Sequence, residues 1–217
     1  MDKEKALLSS LLANPNPISA DGIDMLYGKI GNHEIYLSKC GIGKVNSALN
    51  TYRIVSAIKP DLVINSGVAG GAGIPVGNVL VADRIAYDDV WCGPGTEYGA
   101  ADGCPLYFKP SEKVLALAHE VINDSNVVYG LICSGDKFIS THEEILFIRS
   151  HFPDVKAVDM ESASIAQACA LTHTPVSVIR VVSDTPGEGE NISQYQNFWA
   201  EAPGKTFNVV KTIIESL

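Results

Sequence analysis

Two carboxylates and an arginine late in the chain are the residues best suited to chemistry. Glu161 shares a helical stripe with Ile165, Ala168 and Cys169, at spacings of four, seven and eight, which turns it inward. An inward carboxylate is costly unless donors meet it or a reaction uses it. A plainer account also fits, because a glutamate in the first turn of a helix complements the macrodipole by about 0.3–1 kcal/mol. Asp159, just ahead of it, reads as an ordinary N-cap. Arg180 lies within Val176–Val182, an apolar run that reads as a strand covered on both faces, so its guanidinium must meet a carboxylate there, and Glu161 is the natural candidate. Beyond that run, Ser183-Asp184-Thr185-Pro186 places Asp184 at the strand edge where open α/β sheets bind ligands. Asp184 is there either as an acid or as the cap of a turn.

Other chemistries lack their equipment. The glycines of Gly67-Val68-Ala69-Gly70-Gly71-Ala72-Gly73 lead into another strand rather than a helix, so they are no dinucleotide fingerprint. They read as a loop that brings backbone close to a flat or sugar-like ligand, or as a tight turn. Cys40-Gly41-Ile42-Gly43-Lys44 lacks the upstream glycine and the following Ser/Thr of a phosphate-cradling loop. His33, His119, His142, His151 and His173 fall in exposed helices or loops without metal-ligand spacing, which predicts no metal and no histidine base. There is no GxSxG nucleophile elbow. The five cysteines stand far apart and read as small buried hydrophobes rather than as disulfide or zinc partners.

The elements that must position these residues alternate short β-branched runs with helical patterns, the signature of an α/β domain with a mixed central sheet flanked by helices. The reading runs as a helix over Lys5–Leu12, a breaker at Asn14-Pro15-Asn16-Pro17, and paired strands over Met25–Ile30 and Glu34–Lys39 turning at Gly31-Asn32. A helix over Lys44–Ile58 and a strand over Leu62–Asn65 lead to the glycine loop, and a strand over Asn78–Ala82 follows. Asp88–Pro110 has no periodicity and reads as a functional loop or interface. Then come the helix Pro110–Val121, the strand Val127–Cys133, the helix Glu143–Arg149, the strand Val155–Val158, the helix Met160–Leu171, the strand Val176–Val182 and a last helix from about Gln194 to the end. With no repeat and no boundary, residues 1–217 are expected to form one domain.

Composition narrows the partners. A chain of 217 residues with 46% hydrophobic and 19% charged residues can fill a core. Its net charge of −9 argues against nucleic acid and anionic membrane surfaces and for a small-molecule partner. No apolar run approaches the ~20 residues of a membrane span, and the opening MDKEKALLSSLLANP does not read as a signal peptide, which points to the cytoplasm.

Several runs in order then carry a resemblance: Gly41–Val45, Lys59-Pro60-Asp61 through Gly67–Gly71, Glu97-Tyr98-Gly99 with Gly103-Cys104-Pro105, Ser134–Ile139, Asp159-Met160-Glu161-Ser162-Ala163 and Ser183-Asp184. In combination they resemble the 5′-methylthioadenosine/S-adenosylhomocysteine nucleosidases, over roughly residues 36 to 217. The resemblance implies hydrolysis of the N-glycosidic bond of both nucleosides, releasing adenine and a thioribose, with no metal or cofactor. It implies that Asp184, beside Ser183, is the general acid that protonates the imidazole-ring nitrogen of adenine. Met160 and Glu161 then match the ribose contacts, Phe138 the stacking aromatic, and the backbone of Ile139 the base's hydrogen-bonding partner. Gly70 matches the loop position touching the ligand, Arg180 the residue near the catalytic water, and Tyr195 a pocket aromatic. Glu4 aligns with the base that activates water. Base departure leaves an oxocarbenium-like sugar, which an acid on one side and a water with a carboxylate on the other would serve.

The sequence departs from that family where Val68 replaces a hydroxyl, where Asp159 replaces a glutamate, and at the start, where the family's first strand is apparently missing ahead of Glu4. The family also implies a homodimer closed by the Asp88–Pro110 loop with Trp91, Tyr98, Tyr107 and Phe108, although such a segment could also be a plain surface loop. Alternatives within the superfamily are a purine nucleoside phosphorylase, disfavoured by Asn65 where those enzymes place an arginine, and a futalosine hydrolase. A nucleoside-binding protein without turnover is the alternative from another class.

Overall fold

In the computed structural model the backbone is described for residues 2–188, 190–201 and 205–217, and the side chains for 5–188, 190–198 and 207–217. Helix α1 (Asp2–Ser9) leads into a meander of β1 (Ala13–Ala20), β2 (Ile23–Ile30) and β3 (His33–Leu37). Then follow α2 (Lys44–Ile58), β4 (Val63–Gly71), β5 (Val79–Tyr87), α3 (Glu112–Val121), β6 (Val127–Ser134), α4 (His142–His151), β7 (Val155–Asp159), α5 (Ser162–Leu171), β8 (Val176–Asp184), α6 (Asn191–Glu201) and α7 (Lys205–Ser216).

The expected mixed sheet is present but curls shut, into a barrel ordered β4-β7-β6-β5-β8. Parallel pairs β4–β8, β5–β6 and β6–β7 are joined by the antiparallel pairs β5–β8 and β4–β7. Strand β8 is buried at every position, which is why its sequence is an unbroken apolar run rather than an alternating one. It reaches Asp184, so that residue stands on the strand and not in the turn beyond it.

Three further expectations change. Asn14–Pro17 lies within β1, which among the described residues pairs only with β2, and prolines are tolerated on such an edge. The register there shifts between Ala13 and Asn16, at Asn14 with its left-handed φ of 53°. The glycine run is largely strand: a Cβ on Gly70 would stand 2.6 Å from Pro186 Cγ, and one on Gly71 2.5 Å from the Ile74 carbonyl, so the glycines permit close packing rather than a loop. The last helical stretch divides into α6 and α7.

The first described element is α1, and an apolar groove of about 270 Å³, lined among others by Ile35, Leu37, Val55, Ile64 and Ile165, runs between β3 and β4. None of the five cysteines forms a disulfide among the described residues; Cys133 and Cys169 are buried as expected, whereas Cys92 is exposed. Among the described residues no helix is long and apolar enough to cross a membrane.

The Asp88–Pro110 segment folds back onto the barrel. Ile85 and Phe108 exchange backbone hydrogen bonds of 3.0 and 2.8 Å, and the Tyr98 ring stacks on His151 at 4.0 Å. Of its four large aromatics only Trp91 is exposed, because the others pack inward. Gly99 closes this segment with φ 92° and its N–H on the Val90 carbonyl at 2.8 Å, in a space where a Cβ would stand 2.6 Å from Phe152 Cζ. Gly99→Ala is therefore expected to lower stability by about 1–3 kcal/mol, read from the urea unfolding midpoint.

Candidate active site

Strand register brings the candidate residues to one end of the barrel. Ser134 of β6 stands opposite Asp159 of β7, and Gly70 of β4 stands opposite both Val158 of β7 and Asp184 of β8. The residue that ties this end together is Asp159. Its Oδ2 accepts from Arg180 Nε at 2.9 Å, Arg180 Nη2 at 2.7 Å and Ser162 Oγ at 2.5 Å. Its Oδ1 accepts from Ser134 Oγ at 2.5 Å and from the N–H groups of Ser162 at 3.2 Å and Glu161 at 3.4 Å. Asp159 does cap the start of α5 as expected, but it also neutralises a buried guanidinium.

Arg180 forms its ion pair not with Glu161, the partner expected from the sequence, but with Asp159, the two side chains being 4% and 2% exposed. Glu161 is not on the buried stripe of α5 either. It is the N-cap residue ahead of the helix and is half-buried, and its Oε1 accepts the Gly43 N–H at 3.0 Å. Gly43 makes this possible through φ 85°, and the rejected phosphate loop thus has a role as a carboxylate donor. Helices α2 and α5 are further joined by the buried Ser47–Ser164 hydroxyl pair at 2.6 Å.

Asp184 is 2% exposed. Its Oδ1 accepts from Ser183 Oγ at 2.7 Å, and its Oδ2 accepts from Asn191 Nδ2 at 3.3 Å. Burial raises its pKa above the ordinary carboxylate value, while the Ser183 and Asn191 hydrogen bonds pull the other way. The same Asn191 amide donates to the Ile139 carbonyl at 3.2 Å, linking the acid to the loop that follows β6. On that loop Phe138 is 40% exposed and meets the Tyr195 ring edge-on at 5.6 Å.

Asn191 thus joins Ile139 to Asp184, Ser183 bonds Asp184, Gly70 stands opposite it and Tyr195 meets Phe138, while Arg180 and the Glu161 N–H meet at Asp159. Met160 is half-buried in the turn between β7 and α5. Glu4 lies in α1, and its side chain is outside the described residues. Sequence reasoning missed Asn191 and Gly43 because an asparagine opening a helix and a glycine preceding one both read as ordinary caps. It underrated Asp159 for the same reason.

A buried carboxyl that favours its proton can protonate a leaving group, and a carboxylate held by a backbone donor can grip hydroxyls. No group of three or more potential metal ligands occurs among the described residues. Because Arg180 neutralises Asp159 inside the barrel, Arg180→Met should destabilise the fold by about 3–5 kcal/mol in chemical denaturation, the cost of leaving a carboxylate buried alone.

The model of the phosphorylase superfamily matches residues 1–215. A 5′-methylthioadenosine/S-adenosylhomocysteine nucleosidase of Lysinibacillus sphaericus (strain C3-41) is 38% identical over 223 residues, covering 100% of this chain and 96% of the relative. The nucleosidase of Streptococcus pneumoniae, solved with a transition-state inhibitor, superposes with a TM-score of 0.94 at 37% identity, covering 100% of this chain and 96% of that one. The Neisseria meningitidis nucleosidase bound to methylthio-immucillin-A gives the same TM-score and coverage at 33% identity. With this likeness along its whole length, the chain belongs to the 5′-methylthioadenosine/S-adenosylhomocysteine nucleosidase family of the phosphorylase superfamily.

Proposed function

We propose that residues 1–217 work as one nucleosidase domain that hydrolyses the N-glycosidic bond of 5′-methylthioadenosine and S-adenosylhomocysteine, releasing adenine and the thioribose product. The observation that carries this reading is the buried Asp184 carboxyl, held by Ser183 and joined through Asn191 to the Phe138–Ile139 loop. A purine stacked on Phe138, with Tyr195 at the edge of that ring and the Ile139 backbone on its own edge, would present an imidazole-ring nitrogen to Asp184. Transfer of the proton lets the base leave as a neutral molecule. The sugar then carries oxocarbenium-like charge, which Glu161, gripping the ribose hydroxyls beside Met160, is placed to stabilise. The backbone of Gly70, opposite Asp184 in the sheet, touches the ligand, and Arg180 acts near the water. Glu4 takes the proton of that water; this role rests on its motif position.

Water is favoured over phosphate as nucleophile on two grounds. Arg180 is engaged with Asp159, and Asn65, 8% exposed, donates to Ser162 Oγ at 3.4 Å rather than lining an anion site. We infer that the enzyme works in the cytoplasm as a homodimer. Its proposed contact face is the exposed stripe Ile42, Val45, Leu49 and Tyr52, which continues the Gly43 turn along α2, together with Trp91.

The acid assignment predicts that Asp184→Asn lowers adenine release by roughly 10²–10⁴-fold while changing nucleoside affinity little, in kcat and Kd measurements. The working form carries a proton and the folded pKa is raised, so activity should be complete below that pKa and fall as pH rises through it, above the ordinary carboxylate range. For the dimer, Leu49→Asp should give a monomer in sedimentation equilibrium; an unchanged dimer would exclude this face.

A further inference from the structure

Asp88 directly follows β5 and is only 6% exposed, although none of the roles above uses it. Its backbone is fixed on both sides: its N–H donates to the Ser134 carbonyl at 3.0 Å, and its carbonyl accepts from Tyr98 OH at 2.8 Å. Its side chain presses on Gly135, where an added Cβ would overlap Asp88 Oδ1. Its Oδ2 is buried and finds no hydrogen-bond partner among the described residues.

Gly135 is the root of the loop that carries Phe138 and Ile139. The loop is held from two directions: the Gly135 N–H donates to the Asp159 carbonyl at 3.2 Å, and the Asp136 N–H donates to Asp89 Oδ2 at 2.8 Å. Asp136 Oδ1 accepts the Lys44 N–H at 2.7 Å, next to the Gly43 N–H that holds Glu161. A shift at Gly135 would therefore be felt by the base contacts and by the ribose carboxylate.

An acceptor oxygen buried without a donor is a poor seat for negative charge. The titratable groups acting on Asp88 are Asp89 beside it, Lys44 from α2, Tyr98 from the folded-back segment, Cys133 from β6 and Asp159 from β7. Among these only Lys44 is cationic, and it is engaged with both oxygens of Asp89 at 2.7 Å. Burial, and then Asp89 and Asp159, push the Asp88 pKa up to about 7, with Lys44 opposing.

We propose that Asp88 is a positioning residue for purine binding: uncharged, it seats Gly135 and the Phe138–Ile139 loop, and ionised, it is repelled by Asp89 and Asp159 and loosens that loop. This rests on Phe138 and Ile139 being the base contacts. Because Asp88 is seated in its neutral form, affinity should be full below about pH 7 and decline above it.

The test removes the titration of the acid by working in an Asp184→Asn background and measuring the Kd of methylthioadenosine by calorimetry between about pH 6 and about pH 8. Affinity should weaken by up to about tenfold as pH rises, the ratio of neutral carboxyl across that range. The added Asp88→Asn change, uncharged and isosteric, should make the profile flat. Identical slopes in the two chains would overturn the positioning role. Failure of both chains to bind at any pH would instead overturn the reading of the site, and this inference with it. In the unsubstituted protein, hydrogen-exchange protection at residues 136–139, corrected for intrinsic rates, should drop over the same range while β6 stays protected. Unchanged protection there also contradicts the proposal.

Discussion

A guanidinium buried beside a carboxylate is costly to desolvate and costlier to separate, and the Arg180–Asp159 pair places that constraint inside the barrel. Its geometry is well satisfied: two guanidinium nitrogens, two serine hydroxyls and the first N–H groups of α5 all converge on one side chain. Such satisfaction is what lets a charged pair persist in a core. The pair also fixes where β7 ends, where α5 begins and therefore where Glu161 points. Glu161 then meets Gly43, which connects to Lys44, Asp136 and Asp89, so much of the proposed ribose side descends from one ion pair.

The carboxyls at this end of the barrel differ by environment rather than by type. Asp159 has donors on both oxygens and a cation; Glu161 has a backbone N–H on one oxygen. Asp184 has neutral donors and deep burial, and Asp88 has burial and an oxygen without a donor among the described residues. Graded from charge-stabilising to proton-favouring, these surroundings suit the proposed roles of a structural anion, a ligand-gripping anion, an acid and a neutral seat.

Much of this was legible in the sequence. The β-branched runs give the barrel strands and the apolar continuity of β8 announces burial on both faces, because both follow from local composition. Asp184 at the end of a strand and Arg180 within it needed no structure to be singled out. What was hidden depended on distance in space. Closure of the sheet comes from antiparallel pairs between sequence-remote strands, and the partner of Arg180 had to be chosen between Asp159 and Glu161, two residues apart on the chain. Asn191 carries no periodic signal, since its role is to bridge an acid and a carbonyl contributed by different elements. The prolines of β1 misread as a breaker because edge position, which excuses them, is a tertiary property.

The central claim is that water, not phosphate, completes a reaction begun by protonating a purine. Its most direct measurement is the release of adenine from methylthioadenosine by the purified protein in phosphate-free buffer and again with phosphate added. The account predicts equal release in both, with free thioribose as the sugar product. Release that requires phosphate and yields a sugar phosphate would contradict it.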